Sequence, residues 1–124
     1  MRHYTITFAD ALEAHERALA FGGRPGIVNE NSIRSAIGRP YSGYHDTLPA
    51  KAAALLHAVV QNHGFTDGNK RTALLLTTLL IRRSGAQLTL APNERFDDII
   101  VAVASGEMTF DTLHDWFTAR IMET

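Results

Sequence analysis

The chain has 124 residues, 45% of them hydrophobic, enough to bury one core and to predict a single domain over residues 1–124. It has no cysteine, which excludes disulfides, thiolate zinc sites and cysteine nucleophiles and fits a cytoplasmic protein. A formal net charge of -1 argues against a chain that wraps nucleic acid, and no apolar run reaches the ~20 residues that cross a bilayer, so neither nucleic acid nor membrane is an expected partner.

Residues 8–20 carry Phe8, Ala11, Leu12 and Leu19 near helical spacing and stop at Gly22-Gly23, predicting a first helix. Asn29-Glu30-Asn31 offers N-cap side chains to a short second helix through Ile33, Ala36 and Ile37, which Gly38 and Pro40 end. Tyr41-Ser42-Gly43-Tyr44-His45-Asp46 has turn residues without helical period, predicting a loop or small β-hairpin whose tyrosines either pack or are displayed. Thr47 or Asp46 can cap a third helix with Pro49 in its first turn, running through residues 50–60 toward His63. A fourth helix starts near Asn69. Its Ala73, Leu74, Leu75, Leu76, Leu79, Leu80 and Ile81 make it apolar on nearly every face, which places it in the core, and Ser84-Gly85 end it. A brief extended piece is expected at residues 87–90, and two closing helices at 93–104 and 109–122. The fold class is mainly α.

Between the third and fourth helices the chain reads His63-Gly64-Phe65-Thr66-Asp67-Gly68-Asn69-Lys70-Arg71. A loop entering the N-terminus of a buried helix points unpaired N–H groups and the positive end of the helix dipole at one spot, which suits an anion. Gly64 and Gly68 let the backbone approach a ligand, and Lys70 and Arg71 supply a point charge and a planar fork for phosphate oxygens. His63 can take a proton from an attacking hydroxyl, and Asp67 is the kind of single carboxylate that holds Mg²⁺ beside phosphate oxygens and water. Charge distribution sharpens this: across residues 47–93, Lys51, Lys70, Arg71, Arg82 and Arg83 face Asp67 alone.

Taken singly, these residues have plainer readings. A histidine at a helix end is an ordinary cap, and Asp-Gly-Asn is ordinary turn chemistry, so an anion or nucleotide site and a solvated loop both remain open. The spacing is not that of a P-loop, and His57 and His63 lie on different helix faces, so no structural zinc is expected. Phe65 reads as a core anchor, and His3, His15, His45 and His114 as surface or packing residues. Arg82 and Arg83 lie roughly 17 Å along the helix from Arg71 and read as helix-end charges.

The nine-residue segment resembles the Fic signature His-x-Phe-x-(Asp/Glu)-Gly-Asn-Gly-Arg, with Lys70 in place of its second glycine and Thr72-Ala73 following as in death-on-curing toxins. Gly22-Gly23-Arg24-Pro25-Gly26-Ile27 and Ile33-Arg34-Ser35-Ala36-Ile37-Gly38-Arg39-Pro40 are similar to the same subfamily, so the resemblance runs to about Leu90. It implies a Fic-like helical bundle with a small hairpin or loop flap. It also implies His63 as the base that activates a target Ser or Thr, Asp67 on Mg²⁺, and Gly68, Asn69, Lys70 and Arg71 on the phosphates of ATP. Lysine at the glycine position implies reversed nucleotide placement and transfer of the γ-phosphoryl group, with elongation factor Tu as the known kind of target. Leu74, where nucleotidyl-transferring relatives often carry a second arginine, points the same way. The alternatives are nucleotidyl transfer (AMPylation) and a silent member that binds nucleotide or partner. Self-restraining Fic proteins carry a Ser/Thr-x-x-x-Glu-Gly/Asn helix, and no such string occurs here. The resemblance therefore implies a toxin held by a separate Phd-like antitoxin whose C-terminal segment folds as a helix on it, with Tyr41 and Tyr44 as a candidate contact.

Overall fold

Side-chain caps set most of the helix starts. The computed structural model describes residues 2–123, with helices α1 (Phe8–Leu19), α2 (Glu30–Gly38), α3 (Leu48–Asn62), α4 (Asn69–Arg83), α5 (Phe96–Ala104) and α6 (Phe110–Arg120), and strands β1 (Ala86–Leu88) and β2 (Ile121–Glu123). Thr7 and Asp10 form a reciprocal capping box at α1, and Asn29, Thr47 and Thr109 accept backbone N–H bonds at the starts of α2, α3 and α6. The mainly α fold expected from the sequence is the fold observed.

Helix α3 runs through the middle of the molecule, packed against α2, α4, α5 and α6. Leu55, Leu56, Leu76, Leu80, Leu113 and Phe117 are fully buried in a cluster that extends from Ile6 to Phe117. The buried face of α1 consists of Ala11, Ala14, His15 and Ala18, whereas Leu12, counted toward the core face by its spacing, is 40% exposed. Small side chains on that face let α1 lie close to α4, and this proximity brings His15 to the loop between α3 and α4. No helix among the described residues is long and apolar enough to cross a membrane.

Residues 41–46 take the loop form of the loop-or-hairpin expectation: a 3₁₀ turn at Arg39–Tyr41 leads into bends. Tyr41 is held inward, its hydroxyl donating to the Tyr4 carbonyl (2.8 Å) and accepting from the Ile6 N–H (2.9 Å), while Tyr44 is 88% exposed. The last helix ends at Arg120 instead of 122, because β1 offers an open edge that residues 121–123 pair with antiparallel, Leu88 opposite Ile121 and Ala86 opposite Glu123. Arg120 anchors this change of direction by forking onto Glu94 through three N–H···O bonds of 2.6 to 3.0 Å.

Candidate active site

Helix α3 stops at His63, whose φ of 48° and ψ of 47° make it the one non-glycine residue with positive φ among those described. Gly64 follows with no room for a side chain: a Cβ there would collide with the Ile33 side chain and lie 3.2 Å from the Ile33 backbone nitrogen. The loop is stitched to residues 26–29 by backbone bonds from Thr66 N–H to the Gly26 carbonyl (2.9 Å) and from the Val28 and Asn29 N–H groups to the Gly64 carbonyl (2.9 and 3.1 Å). Ile27 and Phe65 make an antiparallel bridge between the two segments.

Inside the loop, Asn69 closes a ring. Its Oδ1 accepts from the Phe65 N–H (3.1 Å) and its Nδ2 donates to the Phe65 carbonyl (2.9 Å). Phe65 is 3% exposed and stacks on the His15 ring, centroids 3.8 Å apart and planes within 11°. Across that stack His15 Nε2 donates to the Asp67 carbonyl (2.8 Å), and because a carbonyl only accepts, Nε2 carries the proton.

Loop and helix ends enclose a cleft of about 560 Å³. Its basic side is the start of α4. Gly68, in the left-handed conformation at φ 79°, gives that helix no side-chain cap, and the backbone N–H groups of Asn69, Lys70 and Arg71 find no acceptor among the described residues. Lys70 is exposed and unpaired there, and Arg71 has its guanidinium 4.5 Å over the Phe21 ring. Asp67 Oδ2 accepts from the Arg24 N–H (3.1 Å) and Oδ1 from the Gly68 N–H (2.9 Å). These two backbone bonds, Arg24 first, hold its carboxyl below the usual carboxylate range, so it is ionised at neutral pH. Each oxygen keeps free lone pairs, a donor set that fits a Mg²⁺ ion taking one protein carboxylate and completing its shell from phosphate and water. His63, Val60 and Leu74 close the cleft from α3 and α4, and Asp97, Ile100, Val101 and Ala104 wall it from α5.

All the residues expected to do chemistry therefore line one cleft: His63, Asp67, Gly68, Asn69, Lys70 and Arg71. The Asn69 side chain, expected on phosphate, is engaged on both its polar atoms by Phe65, which leaves its backbone N–H for an anion. Sequence reasoning missed two contributions. His15, given no chemistry, orients the loop from α1. The α5 wall was also missed, although Asp97, Ile100, Val101 and Ala104 stand at the i, i+3, i+4, i+7 spacing of one helix face.

The model of the Fic/DOC family matches residues 5–81, which contain the whole motif loop. The chain is 31% identical over 121 residues to the protein kinase doc of Escherichia phage P1, covering 93% of this chain and 92% of that one. It is also 31% identical over 102 residues to the toxin Doc of Mycolicibacterium smegmatis, covering 77% and 78% respectively.

Proposed function

The chain belongs to the Fic/DOC family, and we propose that it is a Doc-type toxin that transfers the γ-phosphoryl group of ATP to a Ser or Thr hydroxyl of a translation factor, with elongation factor Tu as the target. The observation that carries this reading is the gathering of His63, Asp67, Lys70, Arg71 and three unpaired backbone N–H groups around one cleft. His63 accepts the hydroxyl proton as the oxygen attacks the γ-phosphorus. An O–P bond forms, the bond from that phosphorus to the β–γ bridging oxygen breaks, and ADP leaves. Lys70, Arg71 and the start of α4 meet the charge spread over the phosphate oxygens. Asp67 is the residue that would hold Mg²⁺, which when bound neutralises phosphate charge.

Two features of the cleft favour phosphoryl over nucleotidyl transfer. Lys70 stands uncommitted where nucleotidyl-transferring relatives have glycine, and Leu74 lines the wall where they often have a second arginine. Incubating the purified chain and elongation factor with γ-labelled and, separately, α-labelled ATP tests the choice. Label is expected from the γ position, and label arriving only from the α position would sink the kinase reading.

A further inference from the structure

We infer that Phe21, outside the motif loop, is a positioning residue for the phosphate site, a platform that holds the Arg71 guanidinium before nucleotide arrives. Among the described residues four arginines lie over aromatic rings: Arg34 on Phe8, Arg71 on Phe21, Arg83 on Tyr4 and Arg120 on Trp116. Arg34 also pairs with Glu30 and Arg120 forks onto Glu94, while Arg83 donates a hydrogen bond to the hydroxyl of the same tyrosine it lies over. Arg71 alone of the four lines the cleft, and among the described residues it has neither a carboxylate nor a hydrogen-bond acceptor. Its ring contact is what fixes it.

Phe21 is suited to that task. It is 75% exposed, so burial does not account for a phenylalanine at this point. Its backbone is pinned to the end of α1, where the Phe21 and Gly22 N–H groups donate to the Ala18 and Leu19 carbonyls (3.3 and 2.9 Å), and both Ala18 and Gly22 line the cleft. A guanidinium bound through its face keeps all its N–H donors in its own plane, so stacking and phosphate binding do not compete for the same atoms. A long side chain already held in place loses less rotamer freedom when the phosphate binds.

This inference rests on the proposed nucleotide site, and the test separates the two. Binding of the non-hydrolysable analogue AMP-PNP with Mg²⁺ is measured by calorimetry on the full chain and on Phe21→Ala, Phe21→Leu, Phe21→Trp and Arg71→Ala proteins. Loss of the ring is expected to raise Kd about two- to fivefold, the size of an exposed cation–π contact. The same factor should appear in KM for ATP with kcat nearly constant, because the platform acts on ground and transition states alike. Tryptophan should restore wild-type binding and leucine should not, and in an Arg71→Ala background Phe21→Ala should add nothing. Unchanged or tighter binding by Phe21→Ala, rescue by leucine, or a loss that persists without Arg71 would each overturn the platform role. So would a rise confined to the KM for the protein target, which would make Phe21 a contact for that target. A wild-type chain that binds no nucleotide would remove the parent reading and this one with it.

Discussion

His63 occupies a backbone region that costs an L-residue about 1–2 kcal/mol, and glycine is the residue that usually ends a helix in this way. A strained histidine lining a cleft indicates that the imidazole matters more there than local stability. His63→Gly is accordingly expected to raise unfolding stability by roughly 0.5–1 kcal/mol while lowering transfer by about 10² to 10⁴, the range of general-base loss. Urea unfolding and a rate assay check both halves, and a glycine variant that is less stable, or as active, contradicts the argument. Lys70→Gly is expected to lower γ-phosphoryl transfer, and full retention of activity would refute the role given to Lys70. That His63, Asp67, Lys70 and Arg71 share one cleft was legible in the sequence, because they stand within nine residues of one loop and helix start. The loop-holding roles of His15 and Asn69 were not legible, because both act on backbone atoms, His15 on the Asp67 carbonyl and Asn69 on the Phe65 amide and carbonyl. A backbone acceptor leaves no mark in the residue that carries it.

At the scale of elements, α4 combines two demands, presenting a bare N-terminus to an anion and filling the core. Thr72 and Thr77 sit on its fully buried side, and their hydroxyls have no hydrogen-bond partner among the described residues. Replacing either with valine keeps the branched shape and removes a desolvated hydroxyl, so Thr77→Val is expected to raise stability by about 1 kcal/mol, readable as a higher urea midpoint. A lower midpoint would show that the hydroxyl is satisfied in solution. The first four helices were legible because apolar spacing or an apolar run came with a cap or a glycine stop, Asn29 and Thr47 at the starts of α2 and α3 and Gly22 and Gly85 beyond the ends of α1 and α4. The end of α6 was not, since helix or strand there is decided by an edge more than thirty residues earlier in the chain. Glu94 and Arg120 fasten that junction, and the Arg120 guanidinium, with help from the Ala91 N–H, lowers the Glu94 carboxyl to about 2. A carboxyl with a depressed folded-state pKa contributes stability above its ordinary value of 4.5 and loses it as pH falls toward about 2. Glu94→Gln should therefore be less stable than wild type at pH 7, and the gap should close across that acidic window. A gap independent of pH would mean that the fork contributes through packing instead of charge.

The whole molecule leaves its chemistry open to solvent. His63, Lys70 and Arg71 are all exposed, the described elements around them form walls without a cover, and the self-inhibitory string is absent from the chain. On the proposed function this open cleft calls for restraint by another molecule, and the antitoxin implied by the family resemblance would supply it through coupled folding and binding. Of the two tyrosines expected as a candidate contact, Tyr41 is committed to Tyr4 and Ile6 while Tyr44 is exposed. Expression of the wild-type chain alone in bacteria is expected to arrest growth, and co-expression of a cognate antitoxin to restore it. The His63→Ala chain, which keeps the fold and loses the proton acceptor, should permit growth at the same protein level. Arrest by both chains would trace the toxicity to binding instead of transfer, and normal growth with soluble wild-type protein, in a host whose elongation factor it can modify, would remove the case for an external inhibitor.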